Sequence, residues 1–394
     1  MKKFILSISI IFFFIGCKEE PIGFEVPVEW EKIYGGEDFD RGYSVCQTSD
    51  KGYIIVGETM SFGAGSYDVY LIKTDEEGNE EWSKTYGGSS TDFGFSVQQT
   101  SDGGYIISGE TFTYGVGAAD VYLIKTNTSG NEEWSKTFGF AGNYWSGGKS
   151  VKQTSNGGYI ITGWVGSSST GDEDIYLIKT DVSGNEEWSR TLGGSNYDVG
   201  NSIDLTEDGG FIIAGNTISY GAGGSDIYLI KTNSSGDTLW TKTFGGSGSD
   251  KGYSVQQTSD RGYIIAGETN SYGAGGYDLY LIKTDEEGNE EWSRTYGGEE
   301  TDSQSDVGNS VQQTSDGGYI VIGNTWSFDA KPGEGNIYLV KTDGEGNIEW
   351  EGTVDNTDDR GYGVQQTSDG KYIVVGSTWP SGAGHYSVYL VKID

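Results

Sequence analysis

Histidine is almost absent from this chain: His385 is the single one among 394 residues. Because Ser-His-Asp triads and most protein zinc sites need histidine, the sequence excludes a histidine-based triad or zinc centre. Cysteine is scarce too, and Cys17 and Cys46 cannot build a disulfide framework. No window shows helical periodicity, so a phosphate loop that opens a helix is missing as well. The sequence therefore predicts no catalytic residue and no metal ligand.

Basic residues are far fewer than acidic ones. Lys and Arg number 25 against 59 Asp and Glu, which gives a formal net charge of −34. Such a polyanion is repelled by nucleic-acid phosphates and by anionic lipid surfaces, so we expect no nucleic-acid partner. Two interpretations of the charge stay open: a solvated surface that keeps the protein soluble, or a surface that binds cations or a basic partner. We predict no cofactor, with Ca²⁺ as the alternative.

Long apolar runs are missing except at the start of the chain. Lys2 and Lys3 precede the apolar run 4–15, which is too short to span a bilayer comfortably but has the layout of a secretory leader. The run ends in the tetrapeptide FIGC, which resembles the lipobox of bacterial lipoproteins, whose cysteine carries the lipid. An ordinary secretory signal is the alternative.

This leader predicts a location as well as a boundary. We expect a signal peptide over residues 1–17, with Cys17 as the lipidation site, and a short tether over residues 18–25. The protein would then belong to the bacterial cell envelope, as an outer-membrane lipoprotein that touches the membrane only through its lipid. Whether it faces the periplasm or the cell surface stays open.

Proline is rare, with 4 residues, whereas glycine is abundant, with 66. Glycine at this frequency without a collagen period is typical of a chain with many tight turns. Tryptophan recurs at intervals of 52 to 58 residues, at Trp30, Trp82, Trp134, Trp188, Trp240, Trp292 and Trp350. A near-constant period of about this size indicates a solenoid, a propeller or another repeat array.

The repeat from Asp250 to Gly298 shows the unit most clearly. It contains four runs rich in β-branched and aromatic residues, separated by turn residues: Tyr253–Thr258, Tyr263–Glu268, Asp278–Thr284 and Glu290–Tyr296. Such runs predict four strands. Since a four-stranded unit cannot bury both sheet faces alone, seven copies predict an all-β, seven-bladed β-propeller with four-stranded antiparallel blades.

The two ends of the chain predict how the ring closes. The last repeat stops at Asp394, after its third strand, and the missing tryptophan strand lies near the N-terminus as Val26–Gly36. We therefore expect the N-terminal strand to complete the last blade, which removes an exposed sheet edge. Residues 26–394 then form one propeller domain, which we expect to be a monomer.

The repeat resembles the seven-bladed β-propeller repeat called SBBP, which occurs in secreted and surface proteins of bacteria. The matching features are Gly245-Gly246, Asp250-x-Gly252-Tyr253, the turn Asp260-x-Gly262, and Gly267-x-Thr269-x-Ser271. The pattern Tyr280…Gly288-x-x-x-Trp292 is similar to quinoprotein-type and kelch-like repeats. The resemblance implies the fold and an extracytoplasmic location, but it implies no common activity.

One face of the predicted ring, here called the loop face, carries two sets of loops. They run from an outer strand to the next inner strand, and between second and third strands. All length differences among the repeats fall in these loops, and the lengthened loop before the first strand of blade three contains Trp145. We therefore expect any ligand site on this face. Four tryptophans outside the repeat position map to this face, and with His385 they are the candidate ligand-binding residues: Trp145, Trp164, Trp326 and Trp379. Exposed aromatic residues suit sugar stacking or a protein hot spot, and packing between blades is the alternative.

Charged residues also recur at fixed places. An aspartate precedes the first strand in six blades: Asp40, Asp92, Asp198, Asp250, Asp306 and Asp359. We interpret this ring as structural, because a carboxylate there can accept hydrogen bonds from turn amides; a Ca²⁺ site is the alternative. A lysine ends the third strand of every blade, and we expect it to pair with an acid or to snorkel: Lys73, Lys125, Lys179, Lys231, Lys283, Lys341 and Lys392.

These observations favour a binding or scaffold module of the cell envelope that contacts a protein or a glycan through its loop face. One alternative is a glycan-active enzyme that uses rim carboxylates, since two acids about 5–10 Å apart suffice for that chemistry. A structural spacer without a specific ligand is the other. Exposure of the four off-repeat tryptophans would separate the first hypothesis from the last.

Overall fold

The computed structural model describes residues 24–167, 172–298, 304–328, 334–354 and 358–394. Over these ranges the chain forms 29 β-strands and no helix, and it therefore contains no helix that could cross a membrane. The leader with Cys17 lies outside the described residues, as do residues 329–333 in the connection between the second and third strands of repeat six.

The strands form seven sheets, one for each blade; six have four strands, and that of blade six has a fifth, the short strand β1 (Phe24–Glu25). The N-terminal strands are β1 and β2 (Val28–Tyr34). Blade one contains β3 (Asp40–Gln47), β4 (Tyr53–Thr59), β5 (Asp68–Thr74) and β6 (Glu80–Tyr86). Blade two contains β7 (Asp92–Gln99), β8 (Tyr105–Thr111), β9 (Asp120–Thr126) and β10 (Glu132–Phe138). Blade three contains β11 (Tyr144–Gln153), β12 (Tyr159–Ser167), β13 (Glu173–Thr180) and β14 (Glu186–Leu192).

The remaining blades repeat the same order. Blade four contains β15 (Asp198–Leu205), β16 (Phe211–Thr217), β17 (Asp226–Thr232) and β18 (Thr238–Phe244). Blade five contains β19 (Asp250–Gln257), β20 (Tyr263–Thr269), β21 (Asp278–Thr284) and β22 (Glu290–Tyr296). Blade six contains β23 (Asp306–Gln313), β24 (Tyr319–Thr325), β25 (Asn336–Thr342) and β26 (Ile348–Val354). Blade seven contains β27 (Arg360–Gln366), β28 (Tyr372–Thr378) and β29 (Ser387–Ile393), with β2 as its outer strand.

The ring closes as predicted. Strand β2 pairs antiparallel with β29, with Tyr34 opposite Val388 and Val28 opposite Ile393. One further pairing was not predicted: β1 lies parallel to β26, the outer strand of blade six. Between β1 and β2, Val26 is buried in the core that blades six and seven share. The N-terminal segment therefore bridges the last two blades in addition to closing the ring.

The second and third strands of the blades supply the core. In blade five every residue of β20 and β21 is buried, because each strand lies in the middle of its sheet and neighbouring blades cover both faces. Such strands read as continuous apolar runs instead of alternating ones. The repeat tryptophan packs across the gap between blades, with the Trp292 ring 5.9 Å from that of Tyr319 in the next blade. The Trp30–Tyr53 pair has the same spacing of 5.9 Å across the closure.

The lysine that ends each third strand pairs with acids. Lys283 is 3% exposed, and its Nζ lies 2.8 Å from Asp260 and 2.9 Å from Glu291. A nearly buried ammonium needs such partners, because its desolvation would otherwise oppose folding. Blade four departs from this scheme, since Leu239 occupies the position of Glu291 and leaves Lys231 with Asp208.

The inner strand of each blade carries a bulge. In blade five the register shifts between Gly252 and Ser254, so that Lys251 lies opposite Glu268 and Gly252 opposite Gly267. A Cβ on Gly267 would lie 1.9 Å from the Lys251 carbonyl oxygen, which explains why glycine stands there. Bulges of this kind re-aim side chains at strand ends.

Blade three corrects one expectation. The extra residues before its first strand were predicted to lengthen a loop, and Trp145 was placed in that loop. In the structure they lengthen the sheet instead: β11 has 10 residues, and Trp145 lies within it, opposite Gly166 of β12. The longer hairpin is stable because β12 extends by the same amount and pairs with it to Ser167.

Candidate functional site

The recurrent aspartates are buried beneath the loop face. Asp250 is fully buried, and its Oδ2 accepts hydrogen bonds from the Gly246 amide at 3.0 Å and from the Ser271 hydroxyl at 2.6 Å. The Thr269 hydroxyl donates to the other oxygen. These bonds tie together the two loops of a blade, which is the role of a turn-stabilising carboxylate. Within the described residues no set of three or more His, Cys, Asp or Glu side chains is grouped as a metal site requires.

The candidate tryptophans fall into two sectors of the ring. Trp145 is 48% exposed, and Trp164 lies half-buried beside it on the same hairpin. Because Trp145 opposes Gly166 and Trp164 opposes Gly147, both side chains project from the same face of that sheet. Blade three thus presents one open and one half-buried indole.

The other candidates lie around blades six, seven and one. The Arg360 guanidinium lies 4.8 Å from the centre of the Trp326 ring. Trp379 packs edge-on against Tyr386 at 4.9 Å, and His385 lies 6.5 Å from the Phe39 ring. These side chains are half-buried, so this sector is a packed aromatic cluster.

A cation lies between aromatic rings at the mouth of the central channel. Lys149, on β11, places its Nζ 4.0 Å from the centre of the Phe95 ring and 4.9 Å from that of Trp164. A Cβ on Gly147 would lie 2.1 Å from the Trp164 ring, so glycine is required for the indole to cover the strand. Burial lowers the pKa of Lys149, and the nearby carboxylates of Glu110 and Glu58 oppose that shift.

A buried glutamate recurs one residue before the end of the second strand in three blades: Glu58, Glu110 and Glu268. In blade one Arg41 is the cross-strand neighbour of Glu58, and its guanidinium lies 2.7 Å from that carboxylate. In blade five Lys251 holds the same place, with its Nζ 2.8 Å from Glu268.

Blade two breaks this pairing. The cross-strand neighbour of Glu110 is Phe93, and Glu110 has no hydrogen-bond or ion-pair partner among the residues that the structure describes. The side chain is nevertheless 8% exposed. Burial raises its pKa to about 7; Lys149 opposes this shift and Glu173 adds to it. The result is a carboxyl group that gains or loses its proton near neutral pH.

The loop-face site therefore consists of Trp145, Trp164, Lys149, Phe93 and Glu110, hereafter the mouth cluster. It offers aromatic faces and one carboxyl group that lacks a partner. This arrangement suits the binding of a ligand, since aromatic rings and charged groups on a surface are the side chains that contribute most to binding.

Sequence reasoning identified the two tryptophans of the mouth cluster and missed the other three members. The signal was present in the repeats. Comparing the middle residue of Asp-x-Gly across blades gives Arg41, Phe93 and Lys251 opposite the three glutamates. That comparison needs the register of the bulged strand, because the shift between Gly94 and Ser96 decides which residues oppose each other.

Two cavities are lined by residues outside the mouth cluster. A cavity of about 290 Å³ follows the central channel and is lined by serines, valines and amides of the first strands. Cys46 and Lys152 also line it, and the Lys152 Nζ lies 3.4 Å from Asp204. A groove of about 380 Å³ lies between blades four and five, where it includes Leu239, Trp240, Arg261 and Glu286.

Comparison with protein families finds no family that matches the chain. Among curated proteins, the regulatory protein FlaEY of Caulobacter vibrioides is 25% identical over 162 residues. That match covers 35% of this chain and 17% of FlaEY, so the chain corresponds to a small part of that protein.

Solved structures share the fold at low sequence identity. YCF48 bound to D1 peptide superposes with a TM-score of 0.53 at 12% identity, over 94% of this chain and 98% of that one. The Pan2 WD40 domain of Neurospora crassa gives a TM-score of 0.53 at 10% identity, over 89% of each chain. A protein of unknown function from Bacteroides caccae gives 0.44 at 11% identity, over 80% of this chain and 94% of that one. At these identities the two structures with a TM-score of 0.53 show a likeness in fold alone.

Proposed function

We propose that this propeller is an envelope-anchored binding module that holds a polypeptide partner on the loop face at blades two and three. The exposure of Trp145 carries the proposal. A tryptophan that is 48% exposed on a lengthened hairpin, next to a second indole, is a typical protein-binding hot spot. The fold suits this role, since YCF48, a propeller of similar architecture, was solved with a peptide bound.

Charge supports a polypeptide partner over a nucleic acid or a lipid surface. The formal net charge of −34 repels other polyanions and steers basic proteins toward the surface. We keep a glycan as the second ligand class, because the exposed indole of Trp145 also suits sugar stacking. The rim carboxylates supply no pair that we can assign to glycoside hydrolysis, so the enzyme alternative has no supporting observation.

Trp145→Ala is expected to weaken binding of peptides selected on the protein by about tenfold or more, as hot-spot truncations do. Peptides would be selected by phage display on immobilised residues 24–394 and measured by titration calorimetry. Tyr272→Ala is the matched control, because Tyr272 is 48% exposed on the loop face of blade five. Equal losses in the two variants, or selected peptides indifferent to both, would refute the polypeptide site. A glycan array run in parallel tests the second class.

The anchor is a separate part of the proposal. It rests on the leader and on Cys17, both outside the described residues. Cys17→Ser is expected to abolish incorporation of labelled palmitate and to release the protein from the membrane fraction. A Ser variant that stays lipidated or membrane-bound would contradict it, and Cys46→Ser serves as the control because Cys46 lies in the central channel.

A further inference from the structure

Glu110 differs from Glu58 and Glu268 because it has no cationic side chain as an ion-pair partner among the described residues. Arg41 lies 2.7 Å from Glu58, and Lys251 lies 2.8 Å from Glu268. Both cations come from the position directly across the strand pair. At that position blade two has Phe93, which cannot donate a hydrogen bond. In blades one and five a cation of the protein itself therefore pairs with the buried glutamate, whereas in blade two no such cation is present at that position.

Lys149 does not replace the missing cation. Its Nζ lies against the Phe95 and Trp164 rings, and no carboxylate among the described residues lies within ion-pair distance of it. It influences Glu110 only as a nearby charge. Glu110 is only 8% exposed and accepts no hydrogen bond from any described residue, whereas buried polar groups are normally paired. A cation that paired with this carboxylate would therefore be stabilised by it.

We propose that Glu110 receives an arginine or lysine side chain of the polypeptide partner, in the role that Arg41 plays for Glu58. This inference rests on the proposed polypeptide binding and names the residue class that the site recognises. Glu110 supplies the carboxylate, and the exposed Phe112 ring, which lies edge-on to Phe93 at 6.4 Å, offers a surface on which a guanidinium can stack. Arginine suits the site better than lysine, since its planar group can pair with the carboxylate and contact the rings together.

Binding of this kind depends on pH. Only the ionised carboxyl group attracts a cation, and burial raises the pKa of Glu110 to about 7. The affinity for an arginine peptide is therefore expected to fall about tenfold from pH 8 to pH 6, as the ionised fraction falls. The other charged groups that act on Glu110 are Lys149 and Glu173. Burial lowers the pKa of Lys149 and raises the pKa of Glu173. The Glu110→Gln variant below separates the protonation of Glu110 from that of these two groups.

The test uses a peptide pair that differs in one charge. A mouth-cluster peptide from the selection, or acetyl-Gly-Gly-Arg-Gly-Gly-amide if none is available, is titrated by ligand-observed NMR beside its citrulline counterpart. Citrulline keeps the shape of arginine and removes the charge. The arginine peptide is expected to bind at least about tenfold more tightly at pH 8, in line with a charge-assisted pair.

Two variants separate the inference from a loss of folding. Glu110→Gln should abolish the preference for arginine over citrulline and the pH dependence. It should also melt at a higher temperature than the wild type at pH 8. The sign follows from the raised pKa: the folded protein favours the uncharged form, so the wild type loses stability as the pH rises from about 4.5 to about 7, whereas the amide does not. Glu286→Gln, in the groove between blades four and five, removes one charge elsewhere and should leave binding unchanged.

The other variant supplies Glu110 with a cation from the protein itself. Phe93→Arg copies the Arg41–Glu58 pair into blade two, and it is expected to occupy Glu110 and exclude the peptide while the fold gains an ion pair. Equal binding of arginine and citrulline peptides, or an arginine preference that survives in Glu110→Gln, would overturn the inference. If peptide binding were weakened by Trp145→Ala but not by Glu110→Gln, the proposed polypeptide site would be supported and only the assignment of Glu110 as a cation site would be refuted.

Discussion

A propeller that lacks residues 24–34 is expected to lose cooperative folding. The deletion removes β1 and β2, and with them the burial of Val26, Tyr34 and the half-buried Trp30. Three such side chains account for roughly 6 kcal/mol at about 2 kcal/mol each. That sum is comparable to the whole stability of a typical domain, about 5–15 kcal/mol. The deletion also exposes β29 as an unpaired sheet edge, which favours aggregation.

The comparison is between protein starting at residue 24 and protein starting at residue 35, followed by circular dichroism on heating. A synthetic peptide of residues 24–36 should restore the transition of the shortened protein, because the missing strand can pair with β29 from outside the chain. The same peptide with Trp30→Ser and Tyr34→Ser is the control. Tyr34 is chosen because its hydroxyl donates to the Gly78 carbonyl oxygen at 2.6 Å in blade one. Unchanged melting of the shortened protein would show that the N-terminal strand does not close the ring.

Gly109→Ala is expected to destabilise the fold by more than about 4 kcal/mol, which places it among the most damaging single substitutions. A Cβ on Gly109 would lie 1.7 Å from the Phe93 carbonyl oxygen and 2.8 Å from its carbonyl carbon. Both atoms are backbone, so no side chain can rotate away. The bulge of β7 would have to open, and the cross-strand contact of Phe93 with Glu110 would open with it.

Gly209→Ala is the matched control. Gly209 lies in the turn between β15 and β16 with a φ of 81°, and a Cβ there would meet nothing within 4 Å. Its cost is the strain of a left-handed alanine, roughly 1 kcal/mol. Urea unfolding of the two variants measures both losses. If Gly109→Ala cost no more than Gly209→Ala, the close approach at the bulge would be wrong.

The repeat made most of the architecture predictable. Strand-forming runs, turn residues and the tryptophan period are local features, and each is confirmed by the seven blades of four antiparallel strands and by the pairing of β2 with β29. The inner strand of blade five shows the limit of local reasoning: it was predicted from Tyr253, but begins at Asp250. Asp250 belongs to the strand because it pairs with Thr269 across the sheet, a contact that no local pattern encodes.

The site was less predictable, for a related reason. Trp145, Trp164, Trp326 and Trp379 all depart from the repeat, but the sequence did not show which of these side chains is exposed. Neighbouring elements decide their exposure: Arg360 covers Trp326, Tyr386 packs on Trp379, and Trp164 lies over Gly147. Trp145 stays open because the inserted residues extend the β11–β12 hairpin.

By itself, the sequence determined the number of blades, the strand content and the ring closure, because periodic burial and turn chemistry act within one repeat of the chain. The tertiary structure alone decided which carboxyl group is left without a cation and which indole remains exposed. Those properties depend on cross-strand register at a bulge and on contacts between blades about 50 residues apart, where a single substitution such as phenylalanine for arginine changes the partner of a buried charge.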